Sequence, residues 1–353
     1  MTILWMNLAI VFILAFFARY FAVPVTNSLI LIKPNRMLVL MAALSLVLVA
    51  GLRNNIGDTY FYMHAYNITE FNWEYIQHNK DMGFNIFQMI LKGYTDDPQV
   101  MVFITALITN LLIVVTLYKY SRLIEISLYV YITSGMYLVS MNGIRQYLAA
   151  AIVFAATKYI FDGNWKMYVL IVLFASTFHQ SALVLIPVYF LIRRRAWSGI
   201  TFLLLFLAVL IVIGFNQFTE LLFKAIEDTQ YSQYKEFHEG GANILRVVVD
   251  STPLILAYIG RDRLKEIFPK CDFIVNMALL GTVFMFISTQ NWIFARFSIY
   301  FGLYQLILIS WVVKSFTDKD QKLIYYAVLV CYFIYFVYEH VITLGIIYKS
   351  NLL

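Results

Sequence analysis

Charge is what this chain has least of. Only 13% of its 353 residues are Asp, Glu, Lys or Arg, about half the share of an ordinary soluble domain, which excludes a globular core wrapped in a water-solvated surface. The two cysteines, Cys271 and Cys331, are too few and too deep in apolar sequence for a disulfide framework. Six prolines and 15 glycines mark no flexible linker, and there is no internal repeat or low-complexity segment to suggest an array or a disordered tail. No phosphate-cradling glycine loop, dinucleotide fingerprint or nucleophile elbow occurs, so a soluble nucleotide is not expected as direct substrate. No HExxH, HxxxH or Cys/His spacing is found, so neither a metal nor any other cofactor is expected.

Apolar length is abundant instead. Hydrophobic residues make up 62% of the chain and aromatics 18%, and mean hydropathy is +0.76. Apolar runs cover residues 3–22, 37–52, 99–118, 124–140, 146–161, 167–192, 199–214, 244–259, 273–288, 292–313 and 323–347. A backbone inside a bilayer must satisfy its own hydrogen bonds, and runs of this length do so as helices. The expected fold is all-α: one polytopic integral membrane domain over 1–353. The stretch from Lys166 to Arg193-Arg194-Arg195 suits either one tilted span or a hairpin turning at Phe178-His179-Gln180-Ser181. A hairpin brings the count to about 12 spans, some short or re-entrant.

The net charge of +6 and a pI near 9.0 come from scattered clusters between apolar runs, which read as topology signals rather than a nucleic-acid surface. Placing Lys33 and Arg36 inside collects most of the 26 Lys and Arg residues there, as the positive-inside rule requires, with both termini outside. The first run lacks a basic n-region and a small-residue cleavage motif, so it is expected to stay as a span. On this topology all five histidines, His64, His78, His179, His238 and His340, fall outside, with most of the 20 acids, among them Glu227, Asp228, Glu236 and Glu239. Two outer loops, 53–98 and 215–243, each hold an apolar-aromatic stretch too short to span, Asn85 to Leu91 and Phe218 to Ile226, which suit amphipathic helices.

Arginine placement points to chemistry. Three spans entering from outside begin with an asparagine followed by an arginine: Asn142 with Arg145, Asn243 with Arg246, Asn291 with Arg296. Asparagine is a favoured N-cap and a helix N-terminus attracts anions, whereas a cation there opposes the helix dipole and asks for an anionic partner. Phosphate or diphosphate suits the guanidinium fork. The plainer reading has each arginine snorkel to headgroup phosphates or pair with a nearby acid, Arg246 with Asp250 being the obvious case. Arg53, at the end of the second run, would be welcome at a helix C-terminus on electrostatic grounds alone. Gly57 and the neighbouring asparagines argue for a tight loop holding Asp58 at the membrane surface. His179 sits mid-run, where an imidazole must be paired or wetted.

Gly51-Leu52-Arg53 with Ile56-Gly57-Asp58-Thr59 and Tyr62, then Asn142-Gly143-Ile144-Arg145-Gln146-Tyr147-Leu148-Ala149, then Phe178-His179-Gln180-Ser181-Ala182-Leu183, then Ala295-Arg296-Phe297 and Tyr300 resemble, in order and over nearly the whole chain, the motifs of the EpsG family of bacterial membrane proteins. The resemblance implies a bundle like those of Wzy-type and related membrane glycosyltransferases, and a polysaccharide polymerase of the bacterial cell membrane, serving biofilm exopolysaccharide. Such a protein joins oligosaccharide repeat units carried on undecaprenyl diphosphate at the outer face of the cytoplasmic membrane, without metal or nucleotide sugar. Membrane lipids, a flippase and a chain-length regulator are the implied partners, and nucleic acid is not.

On this reading Arg145 and Arg296, with Arg53 or Arg246, bind the donor diphosphate, and Asp58 or His179 activates the acceptor hydroxyl. Asn142, Gln146 and Tyr300, from the same motifs, are expected at the substrate. A transporter or flippase for a lipid-linked sugar or organic anion stays open as an alternative, as does a ligase-like glycan transferase using the same arginines.

Overall fold

The computed structural model describes residues 1–25, 30, 32–225 and 240–352. Lys235, His238, Glu227, Asp228, Glu236 and Glu239, and with them much of the second expected outer loop, lie outside the described residues. The fold is all-α; among the described residues the strands are Val23–Pro24 and Ile32–Lys33, one short antiparallel pair.

The helices start where the sequence supplies caps. α1 (Thr2–Tyr20) leads to α2 (Arg36–Gly51), whose first N–H groups are taken by the Asn35 side chain at 3.0 and 3.2 Å. α3 (Thr59–Ile68), α4 (Trp73–His78) and α5 (Met82–Lys92) form a small cap beside the bundle, the ammonium of Lys92 donating to the carbonyls of Tyr66, Asn67 and Thr69 at the end of α3. α5 is the expected amphipathic stretch, burying Phe84, Asn85 and Gln88, and Phe84 joins Tyr66, Met101, Val102, Ile144 and Leu148 in a separate cluster. α6 (Pro98–Tyr120) is capped by Asp97 with proline in its first turn.

Beyond α6 the apolar runs break. α7 (Ile124–Thr133) and α8 (Met136–Asn142) meet at 55° across Gly135, whose φ of +87° only glycine adopts readily. α9 (Ile144–Ala155) and α10 (Thr157–Phe161) divide the next run. The 167–192 run is a hairpin: α11 (Trp165–Ser176) turns at Thr177 to His179 and returns through a 3-10 helix, Gln180–Val184, into α12 (Leu185–Leu191). Its arms pair antiparallel, with Tyr168 on Tyr189 at 5.1 Å and Trp165 near Phe190 at 6.5 Å. α13 (Gly199–Ile213) bends by 97° into α14 (Phe215–Ala225), the second short stretch.

α15 (Ile244–Ile259) and α16 (Arg261–Ile267) precede the central pair, α17 (Cys271–Ile287) and α18 (Ala295–Val312). α18 is buried on every side from Tyr300 onward, the mark of a central helix. Gly281 lets α17 approach it, since a Cβ there would sit 3.1 Å from Phe301. α19 (Asp318–Phe336) continues as a π-helical segment, Val337–Thr343, which turns Glu339 and His340 into the interior.

Among the described residues, four helical segments are long and apolar enough to cross a bilayer: Thr2–Tyr20, Pro98–Tyr120, Trp292–Ser315 and Asp318–Thr343. The two bent pairs bring this to six, so the expected count of about 12 spans is not confirmed. Chain breaks are the reason. The 12-residue helices α9 and α11 rise about 18 Å each, well short of a hydrocarbon core of about 30 Å, and hydropathy alone does not reveal where an apolar run will break.

Candidate functional site: an arginine-lined cavity

The C-terminal end of α2, the α8–α9 junction, the hairpin turn, the starts of α15 and α18 and the end of α19 lie together at one end of the bundle, around a cavity of about 750 Å³. Its wall includes Asp58, Asn142, Arg145, Gln146, His179, Arg246 and Arg296, all singled out from the sequence. Arg53 and Tyr300 stand behind that wall.

Arg53 differs most from expectation. It is 1% exposed and its guanidinium is turned inward, Nη2 donating to the Met141 carbonyl at 2.6 Å, Nε to the Thr59 hydroxyl at 3.0 Å, and Nη1 to the Ala50 carbonyl. Helix-end carbonyls of α2 and α8 attract the cation more strongly than an open cavity would, so Arg53 fastens the loop rather than facing a substrate. That loop is also tied through Asn142, which caps no helix here: its Oδ1 accepts the Asp58 N–H at 2.9 Å. Gly57 passes close against Asn142 at a φ of +55°, where a Cβ would lie 2.3 Å from the amide oxygen. Asp58 is thereby held exposed at the rim. The other two asparagines do cap, Asn243 accepting from Leu245 N at 2.9 Å and Asn291 from Ile293 N at 3.0 Å.

Arg145, in the first turn of α9, bonds Asp81 through Nη1 at 2.8 Å and the Tyr62 hydroxyl through Nε at 3.3 Å. Its side chain remains 38% exposed, against 9% for Asp81. Asp81 also accepts the Gln180 N–H at 3.2 Å, so one carboxylate joins the start of α5, α9 and the hairpin turn. Burial pushes the Asp81 carboxyl up, against the opposing pull of Arg145, the Gln180 N–H and Lys80.

His179, in the turn between the two hairpin helices, meets the Ser181 hydroxyl through Nδ1 at 2.7 Å, and Ser181 in turn meets Tyr300 Oη at 2.8 Å. Tyr300 is 2% exposed and connects to His179 through Ser181. Gln146 Nε2 donates to the Arg296 carbonyl at 2.7 Å, linking α9 to α18. Burial, then the charges of Arg145 and Arg296, lower the His179 imidazole to about 4, so it is neutral at physiological pH. Arg296 lies with its guanidinium 4.9 Å from the Trp292 ring centre, an orientation that desolvation strengthens.

Across the cavity Arg246 pairs with Glu339 rather than Asp250, at 2.5 Å through Nη2 and 2.7 Å through Nε. Asp250 lines the cavity separately, with Tyr335 and His340. Asp81, Trp292, Glu339 and His340 were not singled out from the sequence as site residues. Glu339-His340 inside an apolar run carried a signal, since intramembrane ionisable residues usually face a cavity. Asp81 carried none, being 64 positions from its arginine. Among the described residues no three His, Cys, Asp or Glu side chains converge as a metal cage would need.

The fold and the cavity define a class: a multi-pass helical membrane protein with an arginine-lined chamber opening at one end of its bundle. Residues 36–350 match the model of the EpsG family, so the chain belongs to that family. No curated protein and no solved structure matches it.

Proposed function

We propose that this protein is a polysaccharide polymerase that joins oligosaccharide repeat units carried on undecaprenyl diphosphate, at the outer face of the cytoplasmic membrane, in exopolysaccharide synthesis for a biofilm matrix. The observation that carries the reading is the gathering of Arg145, Arg296 and Arg246 with Asp58, His179 and Gln146 around one cavity in a chain of this family. Both termini lie outside in this reading, a flippase delivers the repeat units, and a chain-length regulator limits the product.

In the reaction the acceptor hydroxyl attacks the anomeric carbon of the donor sugar. A C–O bond forms there, the bond to the diphosphate breaks, and the electron pair leaves with the diphosphate. Arg145 and Arg296 hold that leaving group and stabilise the charge developing on it, with Arg246 completing the set from the opposite wall. Asp58, at the rim, or neutral His179 takes the hydroxyl proton. No metal is required in this scheme. Collection of the ionisable groups at one end favours polymerisation over transport, which needs access from both faces.

The test is incubation of the purified protein with a lipid-linked repeat unit and sizing of the product. A ladder of lengthened glycans is expected. Translocation across reconstituted vesicles without chain growth would establish a transporter instead, and transfer to a new acceptor a ligase.

A further inference from the structure

α15 and α19 each contribute to two compartments. Arg246 and Asp250 on α15, with Tyr335 at the end of α19, line the polar cavity. Further from that end the same helices enclose a groove of about 210 Å³ between Val249, Thr252 and Leu256 on one side and Ile324, Val328 and Cys331 on the other. The groove presents almost no polar surface: the Thr252 hydroxyl is spent on the Val248 carbonyl at 2.9 Å, which leaves its methyl group outward. α15 packs chiefly on α17 and α18, and α19 chiefly on α7, so the groove is a seam in the side of the bundle. From Arg246 to Leu256 the helix descends about 15 Å, and the path runs from cation to hydrocarbon without leaving α15.

We infer that this seam is the seat of the polyprenyl chain of the lipid diphosphate, its first isoprene units lying between α15 and α19 while the diphosphate occupies the arginine cavity. The inference rests on the polymerase reading for the identity of the lipid. The chemistry is complementary at both ends: an anionic head needs the guanidinium groups, and the branched isoprene chain that leaves the head meets an apolar slot on the same helix as Arg246. An ordinary bilayer lipid has the apolar part but reaches the slot without a diphosphate to anchor it.

The groove carries its own reporter. Cys331 is exposed there, and the other thiol, Cys271, is buried. In a Cys271→Ser background in nanodiscs, Cys331 should react with N-ethylmaleimide, and undecaprenyl diphosphate at about ten times its Kd should slow that reaction about tenfold. Equal protection by phosphatidylglycerol, or none by undecaprenyl diphosphate, would overturn the inference.

A second arm uses substrate. Ala327 also lines the groove, and Ala327→Trp fills the slot; it should lower chain growth on undecaprenyl-linked repeat units about tenfold relative to the same units on a one-isoprene carrier, which is too short to run along the groove. An unchanged ratio with polymer still formed overturns the groove and leaves the polymerase standing. Failure of the wild-type protein to lengthen either carrier overturns the polymerase, while the labelling still reads the groove. Where Ala327→Trp fails to fold, labelling of the native Cys331 decides.

Discussion

Two arginine–carboxylate pairs at opposite ends of this bundle look alike in distance and differ in everything else. Arg145 meets Asp81 at 2.8 Å at the cavity, with the arginine 38% exposed and the acid supplied by a loop. Arg19 meets Glu125 at 2.6 Å where α1 packs on α7, with the glutamate at 0% exposure and the arginine at 30%. In the first pair the carboxylate positions a cation that still faces open space. In the second the cation neutralises a carboxylate that helices have sealed in. The direction of burial, rather than the ion pair, separates a cation open to the cavity from a fastening.

That contrast can be broken by experiment. Arg19→Ala leaves a sealed carboxylate without its partner and should lower stability by about 3–5 kcal/mol, read as thermal unfolding in detergent. Unaltered unfolding would show that Glu125 finds neutralisation elsewhere. At the other end Arg145→Lys and Arg296→Lys keep the charge and lose the planar fork. Each should reduce polymer formation by about 100- to 1,000-fold, the scale of removing one donor to a developing anion, and lipid-linked repeat units should accumulate while unfolding stays put. Normal polymer from both variants would remove the arginines from the reaction.

Two smaller effects sharpen the same contrast. Asp81→Asn loosens Arg145 without deleting it, and should lower polymer formation about tenfold by misplacing the guanidinium; a rate equal to wild type would make the pair ornamental. The smallest effect concerns pH. With the His179 imidazole lowered to about 4, that group gains no proton between about pH 7.5 and 5.5. Chain growth should therefore show no histidine-type inflection across that window, as a pH–rate profile would reveal, and His179→Ala should leave the profile's shape unchanged there.

The legibility of the site followed sequence distance. Arg145, Arg296, Arg246 and His179 were visible because a charge or imidazole in an apolar run demands an explanation wherever the chain later goes. Asn142 was visible as a residue and misread as a device: it ties down Asp58 instead of capping α9. Arg53 was expected at the substrate and is spent on backbone carbonyls at 1% exposure. The welcome a helix C-terminus gives a cation anticipated the Ala50 carbonyl, but nothing local forecast the Met141 carbonyl that takes its Nη2, 88 positions away.

The span count shows the same boundary from the side of the fold. Hydropathy marked apolar length correctly, yet Gly135 at φ +87°, the turn at His179 and the right-angle bend after α13 divide that length into pieces. The hairpin itself was one of two readings of a basic-flanked run, and the packing of Tyr168 against Tyr189 chose between them.

By itself, then, the amino-acid sequence determined an all-helical membrane protein of the EpsG family, with arginines at helix starts that oppose the helix dipole and so need an anion or a carboxylate. Composition and local motif suffice for that, because transfer out of water and helix capping act over a few residues. Only the tertiary structure decided which partner each arginine has, Asp81 for Arg145 and Glu339 for Arg246, and which face of it stays open. Those choices depend on contacts between segments far apart in the chain, where burial sets the energy of a charge and no single segment carries the information.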